Sequence, residues 1–184
     1  MNHVYLIRHG LPDFPPGERL CLGRADLPLG PEGLAQAKAM AAALPPVTAV
    51  FSSPLSRAVQ TARAIGEPQI LEDLAELSAG DWDGLPFSRI RQLWPALYAA
   101  RGIDPTLPLP NGEPEEQGLD RFRRAMDLAA RIAPGDFAVV AHGGVIRLFL
   151  GALGVQAKKP GYAQVIHLIF ENGNFLPLEE ENHA

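Results

Sequence analysis

The amino-acid sequence predicts an α/β sandwich built on a mainly parallel sheet with an antiparallel edge. Short apolar runs such as "HVYLI", typical of strands buried on both faces, alternate with longer segments of helical pattern. This alternation favours parallel pairing of the strands. Near the C-terminus two apolar runs are separated by "ENGN", an Asn-Gly turn signal that predicts an antiparallel hairpin.

The first half of the chain contains two clear strands, a long Pro- and Gly-rich loop and two helices. In order, the predicted elements are strand His3–Ile7, a helix from Pro31 to about Leu44, strand Val47–Phe51 and a helix within "SSPLSRAVQTARAIG". Proline at the first position suits the start of a helix. For the second helix we expect Ser53 as the cap, Pro54 at the first position and Gly66 as the stop.

The second half repeats the alternation. "PQIL" predicts a short strand, and "FSRIRQLWPALYAA" a helix that Pro95 bends or splits. "EEQGLDRFRRAMDLAARIA" predicts an amphipathic helix. "DFAVVAH" predicts a strand, and "GGVIRLFLGALG" a helix closed by Gly154. "AQVIHLIF" and "NFLPLE" predict the hairpin strands.

Composition bounds the class of protein. The 184 residues fit a single domain, residues 1–184, with 47% hydrophobic and 20% charged residues. No signal peptide or membrane-spanning run is evident, and Cys21 is the only cysteine, so we expect a cytoplasmic protein. The net charge of −5 argues against nucleic acid as a partner.

Two apolar runs end in the same way. "LIRHG" and "VVAHGG" each finish a predicted strand with histidine and glycine. Ligands of open α/β sheets bind beyond the carboxyl ends of the strands. The pattern therefore predicts one crevice that contains Arg8, His9, Gly10, His142, Gly143, Gly144 and, from the second helix, Arg57.

These residue types suit a phosphate group. Arginine side chains supply forked donors, and glycines with a helix N-terminus let backbone N–H groups approach an anion. One histidine can attack phosphorus while the other donates to an equatorial oxygen. Two other classes remain open: a non-catalytic phosphate-binding module, and a metal enzyme for which His9 and His142 would need a third ligand.

The order of four motifs carries a family resemblance. From Val4 to about Leu153, "LIRHG", "SSPLSRAVQTA", "AELSAGDWDG" and "AHGG" together resemble the histidine phosphatase superfamily, the phosphoglycerate mutase-like proteins. The resemblance implies a three-layer α/β/α fold, a phosphohistidine intermediate and no metal or other cofactor. It also implies a small phosphorylated metabolite as the partner, with no role for nucleic acid or membrane, in a monomer or homodimer.

The resemblance also assigns roles. His9 is the expected nucleophile, and Glu76 the acid that protonates the leaving oxygen and then helps water to attack. Arg8, Arg57, His142 and Gly143 are the expected phosphate-binding residues, with His142 also counted as catalytic. The sequence by itself does not distinguish Glu76 from the neighbouring carboxylates Glu72, Asp73, Asp81 and Asp83.

One stretch departs from the family pattern. Many relatives place polar residues after the RHG triplet, where this chain has Leu11 and Pro12. We expect the loop backbone, Arg19 or Arg24 to replace them. Elsewhere, Trp82 and Trp94 are expected to pack in a core.

"CLGRADLPLGPEGLAQA" resembles a stretch common to small members of the family, and the compact chain favours a phosphatase. The leading specific substrate is α-ribazole 5′-phosphate of cobalamin biosynthesis. The alternative within the family is a phosphoglycerate mutase-type phosphotransferase.

Overall fold

The computed structural model describes residues 1–156 and 158–178, and its centre is a six-stranded sheet. The strand order is β3-β2-β4-β1-β5-β6. Strands β1 to β4 run parallel to one another, whereas β5 pairs antiparallel with β1 and β6 antiparallel with β5. The predicted mainly parallel sheet with an antiparallel edge is confirmed. The single domain of residues 1–184 stays a prediction.

The helices and strands alternate as the sequence predicts. The strands are β1 Asn2–Arg8, β2 Ala49–Ser52, β3 Gln69–Ile70, β4 Phe137–Ala141, β5 Val165–Glu171 and β6 Asn174–Pro177. The helices are α1 Pro31–Ala43, α2 Ser56–Arg63, α3 Phe87–Leu93, α4 Pro95–Ile103, α5 Glu115–Ile132 and α6 Gly143–Ala152.

Apolar side chains fill a core on each face of the sheet. On one face, Phe122 and Met126 of α5 and Ile146 of α6 pack against Leu6 and other strand residues. On the other face, Met40 of α1 and the alanines of α2 pack against Ile7 and Val140. Every residue of β4 is buried, as its unbroken apolar run predicts. The three-layer α/β/α arrangement is therefore confirmed.

Helix α2 begins at Ser56, two residues later than Pro54, the predicted first position. The Ser53 N–H donates to the carbonyl of Val140 over 3.0 Å, which keeps this residue extended beside β4 and outside the helix. The first turn is instead capped across the chain by Asp26, whose carboxylate accepts hydrogen bonds from the N–H and the hydroxyl of Ser56. The helix also ends at Arg63 rather than Gly66.

The predicted break at Pro95 separates two helices. Helix α3 ends at Leu93 and α4 begins at Pro95, with Trp94 between them at φ −130° and ψ 59°. Trp82 is buried here with Ile90, and Trp94 packs against them, in a small cluster apart from the two main cores. The expected packing roles of both tryptophans are confirmed.

The terminal hairpin turns where the sequence predicts. Asn172 and Gly173 both have positive φ, 51° and 81°, as a type I′ turn requires. Within the described residues, no helix is long and apolar enough to cross a bilayer.

Candidate active site

Three neighbouring strands end at one edge of the sheet and bring the predicted histidines together. Strands β2, β4 and β1 are adjacent in that order, and they lead directly into Ser53, His142 and His9. The two histidine rings are 5.0 Å apart. A cavity of about 540 Å³ opens above them, lined in part by Arg8, His9 and Glu76. We call it the His9 cavity. His142 and Arg57 are buried and are not part of its wall.

One ring nitrogen of His9 makes a hydrogen bond to the backbone, and the other is left free to act as a nucleophile. Its Nδ1 lies 2.7 Å from the carbonyl oxygen of Gly10. Because a carbonyl only accepts, Nδ1 carries the proton and Nε2 keeps its lone pair. Burial, and next the Arg57 charge, lower the pKa of His9 well below its ordinary value. His9 is therefore neutral at pH 7, as a nucleophile must be.

His142 is oriented by Ser53. Its Nε2 lies 2.7 Å from the Ser53 hydroxyl, which also accepts the N–H of Leu55 over 3.3 Å. We assign the hydroxyl as the donor to Nε2, which places the ring proton of His142 on Nδ1. This Nδ1 is buried and has no hydrogen-bond partner among the described residues. His142 is thus set to donate a hydrogen bond to an incoming oxygen.

The two buried histidines make stability depend on pH. Burial is the first cause that lowers the pKa of each, so the folded chain keeps them neutral where an unfolded chain binds protons at the ordinary value of 6.5. Stability is therefore complete above pH 6.5 and falls below it. One unit lower, each histidine should cost roughly 1.4 kcal/mol of unfolding free energy. Urea unfolding across this range should show the loss, and His142→Gln should reduce the slope. An unchanged slope would contradict this account.

Arg8 and Arg57 are cations without a carboxylate partner among the described residues. Arg57 is only 1% exposed, and its two Nη groups donate to the carbonyls of Ala25 and Gly23. Arg8 donates from Nη1 to the carbonyl of Pro160 over 2.6 Å. The Nε atoms of both arginines are buried without a hydrogen-bond partner among the described residues. Since burying an unpaired cation is costly, the arrangement fits an anion that completes it.

Glu76 contacts the start of α6. Its carboxylate accepts hydrogen bonds from the N–H groups of Gly144 at 2.8 Å, Val145 at 3.1 Å and Leu77 at 2.9 Å. Of the N–H groups expected to face an anion at this helix end, that of Gly144 is thus occupied by Glu76. The N–H of Gly143 makes no hydrogen bond to the described residues. It is the donor that remains available for phosphate.

Both glycines of "AHGG" are required by close approach. A Cβ atom at Gly144 would lie 2.5 Å from Glu76 Oε1, and one at Gly143 would lie 2.4 Å from Cε of Lys159 and 3.1 Å from Nε of Arg8. A side chain at either position would displace the carboxylate or the cations from the site.

Among the five carboxylates that the sequence left open, only Glu76 lines the His9 cavity. Asp83 has a structural role, since it accepts hydrogen bonds from three backbone N–H groups in the loop 23–25. Two arginine side chains hold the backbone of the segment that carries Glu76. Arg24 Nε and Arg121 Nη2 both donate to the Glu76 carbonyl, at 2.8 and 3.0 Å.

The family is decided by the sequence match over nearly the whole chain. Residues 4–178 match the model described as the histidine phosphatase superfamily (branch 1). The chain belongs to this superfamily. The geometry of the site agrees, since the RHG triplet and the AHGG motif lie side by side, with the His9 and His142 rings 5.0 Å apart.

Three relatives illustrate the range of the superfamily. A bifunctional protein of Mycobacterium tuberculosis is 33% identical over 134 residues, 68% of this chain and 36% of that protein. The chain thus spans about a third of the length of the curated relatives it matches. A mycobacterial glucosyl-3-phosphoglycerate phosphatase in complex with VO3 is 28% identical, with 92% and 93% of the two chains covered and a TM-score of 0.79. A candidate alpha-ribazole-5′-P phosphatase from Escherichia coli K-12 is 23% identical, covers 97% of this chain and 96% of its own, and has a TM-score of 0.77. At this identity the likeness shows the fold alone.

Arg19 occupies the region left without polar side chains by Leu11 and Pro12. It lines the His9 cavity, and its Nη2 donates to the Tyr162 hydroxyl over 3.2 Å. Tyr162 also places its ring 3.9 Å from the guanidinium carbon of Arg8. Tyr162 lies in a loop outside the four motifs, and no signal in the sequence indicated it.

Tyr162 is expected to position the arginines for phosphate. Tyr162→Leu removes both the ring beside Arg8 and the acceptor for Arg19, so inorganic phosphate should bind roughly 2- to 30-fold more weakly, the range for one cation–π contact. Tyr162→Phe keeps the ring and should recover most of the affinity. Calorimetric titration of phosphate measures both. Equal affinity in wild type and Tyr162→Leu would show that the ring has no such role.

Proposed function

We propose that the protein is a phosphomonoesterase that acts on a small phosphorylated metabolite through a phosphohistidine intermediate. The observation that carries the proposal is the pair of cations Arg8 and Arg57, with unpaired Nε groups, beside two buried neutral histidines. A phosphate monoester has the charge and the acceptor oxygens that such a site lacks. The similar structure of a mycobacterial phosphatase in complex with VO3 also supports the assignment to the phosphatases.

In the first step the substrate phosphate takes hydrogen bonds from Arg8, Arg57, Nδ1 of His142 and the Gly143 N–H. The lone pair on Nε2 of His9 attacks phosphorus, and the bond from phosphorus to the leaving oxygen breaks on the opposite side. Donors placed before the reaction stabilise charge on the transferring group without reorganisation. Glu76, at the wall of the same cavity, gives the leaving oxygen its proton.

The proton on Glu76 needs a source. Both oxygens of the Glu76 carboxyl group accept backbone N–H groups in the structure. A phosphate monoester has a second pKa of about 6, so a fraction of the substrate arrives as a monoanion. We infer that this monoanion passes its proton to Glu76. In the second step the Glu76 carboxylate accepts a proton from water, whose oxygen attacks phosphorus while the bond to His9 Nε2 breaks. The inorganic phosphate then takes this proton as it leaves, which restores the Glu76 carboxylate.

The first specific substrate to test is α-ribazole 5′-phosphate, because the "CLGRADLPLGPEGLAQA" stretch resembles small phosphatases of the family. The proposed setting is the cytoplasm, since a lone cysteine does not require an oxidising compartment. Because the net charge is negative, we do not propose nucleic acid as a partner.

The test is a panel of phosphomonoesters, including α-ribazole 5′-phosphate, assayed for phosphate release with and without EDTA. Turnover that persists in EDTA is the expected result, because every proposed step uses side chains of the protein. A mutase-type enzyme would instead transfer the phosphoryl group to an added phosphoglycerate faster than to water. Tight phosphate binding with no turnover of any ester would support the binding module and overturn the proposal.

A further inference from the structure

A second cavity of about 670 Å³ adjoins the His9 cavity. Leu22, Glu76 and Lys159 line both and form the boundary between them. His9 lines only the first cavity, and Gly144, which binds Glu76, lines only the second. Glu76 therefore faces the nucleophile on one side and this additional space on the other.

The geometry of phosphoryl transfer relates the two cavities. The attacking atom and the leaving oxygen lie roughly in line on opposite sides of phosphorus. The leaving oxygen must also lie within reach of Glu76 to receive a proton. Since Glu76 stands on the boundary, an alcohol that leaves in line from His9 extends past Glu76 into the second cavity.

The charge of the second cavity is positive, although the net charge of the chain is negative. Its carboxylates all have partners: Glu76 accepts backbone N–H groups, Glu113 is held by Arg121 at 2.7 and 2.8 Å, and Glu115 pairs with Arg147. Three more cations line it, Arg101, Lys158 and Lys159. None of these three has a carboxylate within salt-bridge distance among the described residues.

Part of the lining of the second cavity is apolar. Pro105, Leu107, Pro108 and Leu109, from the connection between α4 and α5, line the cavity. The volume lies within the usual range for a metabolite site. A lining that combines apolar side chains with cations that have no carboxylate partner among the described residues suits an organic group that carries a negative charge.

We propose that the second cavity binds the alcohol half of the substrate, and that this alcohol carries an anionic group, a carboxylate or a second phosphate. The proposal rests on the proposed phosphomonoesterase function and adds to it the class of substrate. Arg101 and Lys158 recognise the anionic group, since Lys159 reaches back toward Gly143 and the phosphate.

A matched pair of esters tests this proposal: 4-carboxyphenyl phosphate and its neutral amide counterpart, 4-carbamoylphenyl phosphate. The two have the same shape, and the amide is the better leaving group, so chemistry alone favours it. We expect kcat/KM to favour the carboxylate by about 10-fold or more, the effect of one hydrogen bond between charged groups. In the double variant Arg101→Gln, Lys158→Gln the preference should disappear.

Two controls separate the outcomes. Lys38→Gln, on an exposed position of α1, removes a charge that lines neither cavity and should leave the preference intact. Inhibition by inorganic phosphate should be unchanged in the double variant, because phosphate needs only the His9 cavity. Equal kcat/KM for both esters in the wild type, or a preference that survives the double variant, would overturn the inference alone. Hydrolysis of neither ester, nor of any in the wider panel, would overturn the proposed function and this inference with it.

Discussion

Replacement of His9 by alanine should reduce phosphate release by on the order of 10⁶-fold, the loss typical when the nucleophile of a covalent hydrolase is removed. The reason is that Nε2 of His9 is the proposed nucleophile. Among the described residues that line the cavity His9 is the one histidine, and Nε2 of the neighbouring His142 lies against the Ser53 hydroxyl. Phosphate binding should persist, because Arg8, Arg57 and His142 remain. Steady-state release from an aryl phosphate and titration with inorganic phosphate measure the two properties.

A matched control for this variant is His3→Ala on the same strand. His3 lies at the other end of β1 and hydrogen-bonds His167 at 2.8 Å, away from the His9 cavity. It should keep near-wild-type turnover. His9→Asn, which keeps a polar side chain at the position, provides a second test if the alanine variant folds poorly. Substantial turnover in both His9 variants would mean that the phosphoryl group is not transferred to this residue.

Glu76→Gln should slow the reaction of alkyl phosphates far more than that of para-nitrophenyl phosphate. An alkoxide leaves with a high basicity and needs the proton, whereas nitrophenolate needs it much less. General acid catalysis contributes about 10²- to 10⁴-fold, so the loss with the alkyl ester should fall in that range. Formation of the phosphoenzyme in a single turnover is the quantity to measure, since slow dephosphorylation would otherwise hide the difference between the two esters.

Glutamine also disturbs the start of α6, because its amide nitrogen cannot accept the N–H groups that Glu76 accepts. That structural effect is the same for every substrate, and urea unfolding of the variant measures it independently of the kinetics. Asp83→Asn serves as the comparison, since Asp83 also accepts backbone N–H groups but does not line the cavity. Equal losses on both esters in Glu76→Gln would show that this residue positions α6 and is not the acid.

The sequence predicted the elements that depend on local pattern. The apolar runs before His9 and His142, Pro31 at a helix start and the Asn-Gly turn all have the structures expected of them, because each signal lies within a few neighbouring residues. The convergence of both histidines followed from one further rule, that parallel strands end at a common edge.

The features that the sequence did not reveal depend on contacts between distant residues. Serine is a common helix cap, but the Ser53 N–H pairs with Val140 on β4 and its hydroxyl with His142 directly after that strand, far along the chain. Tyr162 belongs to no motif, and its role exists only because β1 and the loop before β5 are adjacent. Two of the three N–H groups on Glu76, those of Gly144 and Val145, likewise require α6 to begin beside it.

The contacts of Glu76, the expected acid, add information that the family resemblance does not supply. A carboxylate that accepts three N–H groups is well suited to activate water in the second step. For the first step it must gain a proton, and the substrate monoanion is the proposed source. This predicts that the alkyl-phosphate reaction slows as pH rises above the second pKa of the substrate, about 6.

The central claim, a covalent intermediate on one nitrogen of one histidine, is tested most directly by trapping it. Wild-type protein mixed with excess phosphomonoester, quenched in alkali within milliseconds and digested for mass spectrometry should yield a phosphoryl group on His9. Phosphorus NMR of the trapped protein should assign it to Nε2, because Nδ1 donates to the Gly10 carbonyl. A phosphoryl group on His142, or on Nδ1 of His9, or ester hydrolysis at full rate with no phosphoenzyme formed, would contradict the account.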